Sequence, residues 1–241
     1  LALWPAEKKH RSEDRPLQQP KAIASEGGPL QEPVTGNATA KIGVLAIQGD
    51  FAAHAVMLQS LGAETKEVRT VADLEECDGL ILPGGESTTQ LQFLQEEGLA
   101  EAIKKFAAKE QPVFGTCAGA ILLATNVKNP AQDSLGLLDM TVLRNGYGRQ
   151  LASEVSSGDS KLKAGPMEMV FIRAPIIENV GPGVEILAEF GGKPALVQEG
   201  NVIAATFHPE LTNDSTVHRH FLGLIEKKSP SAEPVSTHSN K

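Results

Sequence analysis

Cysteine is scarce in this sequence: two residues in 241, Cys77 and Cys117. That scarcity excludes a disulfide framework and a cysteine-rich zinc site, and it predicts a reducing, cytoplasmic compartment. Positive charge is in deficit as well. Thirty Asp and Glu stand against 22 Lys and Arg, a formal charge of −8. The basic density that a phosphate backbone requires is therefore missing, and nucleic acid is not the expected partner. No apolar run approaches the ~18 residues of a membrane helix. The opening Leu1-Ala2-Leu3-Trp4 is too short for a signal-peptide core and runs straight into Pro5 and charges. What is present is ordinary globular composition, 41% hydrophobic and 22% charged.

Residues 1–40 carry five prolines, mixed charge and few periodic apolar positions. They cannot bury enough apolar surface to offset their ordering entropy, which predicts a disordered N-terminal extension. Residues 227–241 read the same way, as a disordered tail. The folded domain is expected over 41–226. Within it, short apolar runs at Ile42–Ile47, Gly79–Leu82 and Pro112–Gly115 predict strands buried on both faces. They alternate with helical spacing at Phe51, Ala55 and Leu58, at Ala102, Phe106 and Ala107, and from Ile121 through Ala124. Ser87-Thr88-Thr89-Gln90 has the spacing of a capping box. This alternation predicts an α/β fold with a mostly parallel sheet flanked by helices on both faces. After residue 137 strands dominate: 138–143, 169–173, 184–189, 195–198 and 202–206. A last helix presents Val217, Phe221, Leu224 and Ile225.

The strongest chemical signal is Gly115-Thr116-Cys117-Ala118-Gly119. It has the glycine spacing of a nucleophile elbow with Cys in place of Ser. Glycines at minus two and plus two relieve crowding in a sharp strand-to-helix turn, and the helix N-terminus favours thiolate. Cys77, in Glu75-Glu76-Cys77-Asp78-Gly79, reads instead as a small buried hydrophobe. A thiol nucleophile needs a base and an orienter. Phe207-His208-Pro209-Glu210 offers both at a strand end, although a capped helix start with a solvated His has the same pattern. Of the other histidines, His10 and His238 fall in the tails. His218 and His220 read as a polar helix face, and His54, just after the first strand, reads as a surface residue, with a functional role as the alternative. Pro83-Gly84-Gly85-Glu86-Ser87 suits an oxyanion hole, and a phosphate loop is the competing reading. Arg144-Asn145-Gly146-Tyr147-Gly148-Arg149-Gln150 fits a carboxylate clamp, a partner-facing loop or a solvated hairpin.

Taken together, Gln48-Gly49, Pro83–Thr89, Gly115–Gly119, Arg144–Gln150, Phe171-Ile172-Arg173-Ala174-Pro175 and Phe207–Thr212 resemble the glutaminase subunits of pyridoxal 5'-phosphate synthases. These are class I, triad-type glutamine amidotransferases with a flavodoxin-like architecture. The resemblance spans about residues 41–225. The cysteine elbow and His-x-Glu pair are common to the class, whereas the Gly-Gly-Glu-Ser-Thr-Thr, Arg-Asn-x-Tyr-Gly-Arg-Gln and Phe-Ile-Arg-Ala-Pro blocks narrow it. It implies hydrolysis of L-glutamine to glutamate and ammonia, with no cofactor or metal. The ammonia would pass to a barrel-fold synthase subunit, forming a hetero-oligomer. By motif match, Cys117, His208 and Glu210 would be the triad. Gly85, Glu86, Ser87, Arg144, Ile172 and Arg173 would bind glutamine, with Gly85 and Ala118 at the oxyanion. The competing readings are a glutaminase serving another synthase, a cysteine peptidase of similar fold, and a silent binding subunit.

Overall fold

The computed structural model describes residues 39–144, 146 and 153–228. The expected disorder of 1–40 and 227–241 lies mostly outside these residues, as do Asn145 and Tyr147–Gln150 of the arginine loop. The chain runs β1 (Lys41–Leu45), α1 (Phe51–Ser60), β2 (Glu64–Val68), α2 (Val71–Glu75), β3 (Gly79–Leu82), α3 (Ser87–Glu96), α4 (Leu99–Ala108), β4 (Val113–Thr116) and α5 (Ala118–Leu123). There follow β5 (Ala124–Lys128), β6 (Leu138–Leu143), β7 (Ser153–Gly158), β8 (Met167–Ile172), β9 (Ile176–Val180), β10 (Glu185–Phe190), β11 (Lys193–Glu199), β12 (Val202–Ala205) and α6 (Thr216–Lys228).

Seven strands form the main sheet in the order β10-β11-β12-β4-β3-β1-β2. The run from β12 to β2 is parallel throughout, and β10 and β11 add an antiparallel margin. The side-chain period of two sorts the central strands between two cores. Leu80 and Leu82 of β3, Val113 of β4 and Ala204 of β12 enter one core with Leu74 of α2, Leu94 of α3 and Ile103 of α4. Ile81, Phe114 and Ile203 from the same strands face the other way, against Leu58 of α1 and Phe221 of α6. Helices thus cover both faces, and central strands buried on both sides read as unbroken apolar runs.

A three-stranded sheet (β5-β6-β9) and a β7-β8 hairpin cap the main body. The first contributes Val127, Met140 and Ile177 to one core, the second Met167, Met169 and Phe171 to the other. Two local expectations need correction. The helix after Cys117 stops at Leu123, and Ala124 already begins β5. The capping box does not form: Glu86 is the N-cap of α3, and Gln90 Nε2 donates to the carbonyls of Pro83 (3.2 Å) and Gly84 (3.4 Å). Gln90 thereby anchors the turn that the glycines make, a tertiary use outweighing the local cap. Among the described residues no helix is long and apolar enough to cross a membrane.

Candidate active site

Four neighbouring strands, β1, β3, β4 and β12, end at the same rim of the sheet. Their outgoing segments build one cavity of ≈ 240 Å³. This is where open α/β sheets hold ligands, and the volume is below the about 300–1,000 Å³ typical of drug-sized sites. Gly49 and Asp50 reach it from β1, Gly85, Glu86 and Ser87 from β3, Cys117 and Ala118 from β4, and His208 from β12. Arg144, Ile172 and Arg173 close it from the capping sheets.

Cys117 has φ 48° and ψ −100°, a conformation that L residues rarely adopt. It is held by a bond from its own N–H to the Ala205 carbonyl at 2.8 Å. The flanking glycines explain how the turn closes. A β-carbon on Gly115 would lie 2.6 Å from the Gly119 backbone, and one on Gly119 would strike the Leu82 carbonyl of β3. Strain held in place by packing is characteristic of a nucleophile elbow. Cys117 is 8% exposed and lines the cavity, with Sγ 3.8 Å from the Ile172 carbonyl.

His208 arrives through the parallel register that pairs Ala205 of β12 with Thr116 of β4. Its N–H donates to the Val170 carbonyl at 2.8 Å, which ties the loop to β8. Its Nδ1 lies 2.7 Å from Glu210 Oε1, and both residues are buried. Pro209 begins a single 3-10 turn that brings Glu210 back under the ring. Burial alone would lower the His208 pKa, but hydrogen bonds and charge from Cys117 and Glu210 outweigh it and raise it to about 10. Burial pushes Glu210 upward, and the His208 contact opposes that. In this pair the proton resides on the imidazole, because the carboxylate beside it stabilises the imidazolium.

Three of the remaining expected binding residues, Glu86, Ser87 and Arg144, have definite side-chain partners. Arg144 Nη2 bonds Glu86 Oε1 at 3.1 Å and Thr88 Oγ1 at 3.0 Å. Ser87 is buried and donates to Gln132 Oε1 at 3.0 Å. Arg173 sits at φ 44°, a second strained residue on the cavity wall. Cys77 is buried in a core among apolar side chains, and burial pushes its thiol up to about 11, as suits an inert packing residue.

Three residues escaped the sequence reading. Asp50 lines the cavity with Oδ2 3.6 Å from His208 Nδ1; its position just after a buried strand was the available signal. Asp50, His208 and Glu210 also bring potential ligand atoms within 4.8 Å of one another, but Nδ1 and Oε1 are already committed to each other. His54 is wholly buried, not a surface residue, and His218 is wholly buried, not on a polar face. His54 Nδ1 lies 3.0 Å from His218 Nε2, while its Nε2 lies 3.1 Å from Thr116 Oγ1 and 3.4 Å from Glu210 Oε2. Burial lowers the pKa of both, His218 to about 4.

The chain is 55% identical over 185 residues to the pyridoxal 5'-phosphate synthase subunit PdxT of Koribacter versatilis, covering 77% of this chain and 95% of that one. It is 49% identical to the subunit of the same name from Thermotoga maritima, over 77% of this chain and all of the relative. A crystal structure of a glutamine amidotransferase superposes with a TM-score of 0.73 at 45% identity, over 77% of this chain and 98% of that chain. PurLQS of Thermotoga maritima shares the fold at TM-score 0.60 and 18% identity, over 77% of this chain and 99% of that chain. Residues 44–227 match the profile of the SNO glutamine amidotransferases. A family match over residues 44–227, with relatives at 49–55% identity covered almost end to end, makes the chain a member of the SNO glutamine amidotransferase family.

Proposed function

We propose that this chain is the glutaminase of a pyridoxal 5'-phosphate synthase, with Cys117 as nucleophile, His208 as acid and base, and Glu210 as its orienter. The observation that carries the reading is the 2.7 Å contact between His208 Nδ1 and Glu210 Oε1, beside a strained cysteine on the same cavity. The relatives that bear the PdxT name supply the pathway.

The chemistry follows from the charges. The Cys117 thiolate attacks the side-chain amide carbon of glutamine, and the carbonyl oxygen becomes an oxyanion near the Gly85 and Ala118 N–H groups. Losing one such donor costs about 3 kcal/mol in comparable sites. The His208 imidazolium gives its proton to the departing nitrogen, which leaves as ammonia, and a glutamyl thioester remains. Neutral His208 then takes a proton from water as it attacks the thioester. Collapse expels the thiolate, releases glutamate and restores the ion pair. Glu86, Ser87, Arg144, Ile172 and Arg173 hold the amino-acid end of the substrate. No step calls on a metal or an organic cofactor.

Ammonia released into neutral water is mostly ammonium, which is not nucleophilic. A barrel-fold synthase subunit docked on this domain receives it directly and assembles the cofactor from ribose 5-phosphate and glyceraldehyde 3-phosphate. The cysteine-poor composition suits the cytoplasm. Residues 1–40 and 227–241 lie outside the catalytic unit, since 77% of this chain covers the relatives almost completely. The test is glutamate release and pyridoxal phosphate formation with the synthase subunit present. No glutamine-dependent product in that mixture, with ammonium salts still supporting synthesis, would overturn the reading.

A further inference from the structure

Behind the His208–Glu210 pair lies a second pair of buried histidines to which the chemistry above gives no task. Glu210 Oε1 faces His208, but its other oxygen, Oε2, is buried and makes no close hydrogen bond. His54 Nε2, on α1, lies 3.4 Å from it. The same nitrogen is 3.1 Å from the hydroxyl of Thr116, the residue before the nucleophile. On its far side His54 Nδ1 meets His218 Nε2 at 3.0 Å, and the remaining nitrogen, His218 Nδ1, is buried without a partner among the described residues.

Proton bookkeeping favours one arrangement over the other. Both rings are buried, which keeps both neutral, so each carries one N–H. A single hydrogen must lie between His54 Nδ1 and His218 Nε2. If His54 supplied it, His218 would carry its proton on Nδ1, which none of the described residues accepts. The bare Nε2 of His54 would also turn its lone pair toward a carboxylate. If His218 supplies it, His54 carries its proton on Nε2, facing both Glu210 Oε2 and Thr116 Oγ1. The only unpaired atom is then a bare ring nitrogen on His218. An unpaired lone pair is cheaper to bury than an unpaired N–H.

We propose that His54 is a positioning residue for the catalytic carboxylate: its Nε2–H holds Glu210 Oε2, and His218 fixes the tautomer that makes this possible. This rests on the triad reading above. His54 is not among the residues that line the cavity. It acts through Glu210, by locking the carboxylate rotamer and stabilising the charge that orients His208. It also ties Thr116, and with it the elbow, to the same ring.

The test uses the full chain with its synthase subunit. Nitrogen-15 spectra of histidine-labelled protein should show His54 and His218 both as neutral Nε2–H tautomers; His54 as the Nδ1–H tautomer would overturn the proposal. His54→Phe keeps the ring packing and removes the donor, whereas His54→Gln keeps an amide N–H near the Nε2 position. Expected is a kcat loss of about tenfold or more in His54→Phe with KM within about twofold, and substantial recovery in His54→Gln. A folded His54→Phe with wild-type kcat, or equal losses in both variants that track their melting temperatures, would reduce His54 to packing. If His54→Phe does not fold, the Gln variant and the tautomer decide. Failure of the wild type to release glutamate would instead overturn the glutaminase reading, and the tautomers would still be measurable.

Discussion

Gly84 lies against the Cε1 edge of the His208 imidazole. A β-carbon there would sit 3.1 Å from Nδ1 and 3.3 Å from Nε2, and closer still to Cε1. The ring is thus seated on bare backbone, with Glu210 fixing one edge. Gly84→Ala should displace the imidazole without touching either core. The expected outcome is a kcat loss on the order of 100-fold with an unchanged far-ultraviolet spectrum, since a displacement of about 1 Å in a catalytic group costs that much. Steady-state glutaminase kinetics with the synthase subunit in excess checks it.

The two thiols should separate cleanly. Cys117→Ala should abolish glutamine hydrolysis while leaving synthesis from ammonium salts intact. Cys77→Ala removes one buried sulfur from a core and should leave kcat unchanged, at a cost of about 1 kcal/mol. Melting curves and glutamate assays on both variants decide; a catalytic loss in Cys77→Ala comparable to that in Cys117→Ala would mean that the wrong thiol was chosen.

His208 and Glu210 divide their labour unequally. His208→Asn should remove nearly all turnover, because the imidazole transfers a proton in both half-reactions. Glu210→Gln keeps the shape but not the charge, and should retain a small measurable rate. The double variant should be little worse than His208→Asn alone, since the residues act as a unit. Wild-type activity in Glu210→Gln would leave a Cys–His dyad.

The buried histidines make opposite contributions to stability as pH changes. His208 has a raised pKa, about 10 when folded against about 6.5 unfolded. Its contribution is full below about pH 6.5 and disappears as pH rises toward 10. His218 has a lowered pKa, about 4, so the folded state loses stability as pH falls from about 6.5 toward 4. Melting temperatures from pH 4 to 10 should show His208→Gln converging on wild type at the alkaline end, and His218→Gln flattening the acid limb. Each kcal/mol corresponds to roughly 2–4 °C in a domain of this size.

Removing residues 1–37 should leave melting temperature and synthase-dependent activity within error of the full chain. The matched relatives are covered almost end to end without that segment. A fall of more than a few degrees, or a loss of activity, would show that the segment belongs to the working unit.

The central strands and the elbow were legible because burial on both faces and sharp turns each leave a local signature. β2 was not: Glu64-Thr65-Lys66-Glu67-Val68 is largely polar, as an edge strand with only Val68 fully buried can be. The histidine pair was misread for a different reason. His54 stands four residues before Leu58, on the inward stripe of α1, so its position was visible in the spacing. Its polarity argued for solvent, because the partner that makes burial tolerable is 164 residues away. A polar group is buried only with a partner, and such a partner has no local signal.

The order of the sheet has a consequence for how the enzyme comes into being. Among the described residues β12 is the last strand to be made, yet it occupies an interior place between β11 and β4. Until residues 202–205 slot in beside Val113–Thr116, the Cys117 N–H lacks its Ala205 acceptor and the thiol has no histidine within reach. Closing that loop of nearly 90 residues is among the slower, more entropically demanding contacts in the domain. A nascent or half-folded chain therefore carries a nucleophile without a base, and ammonia release waits on completion of the sheet.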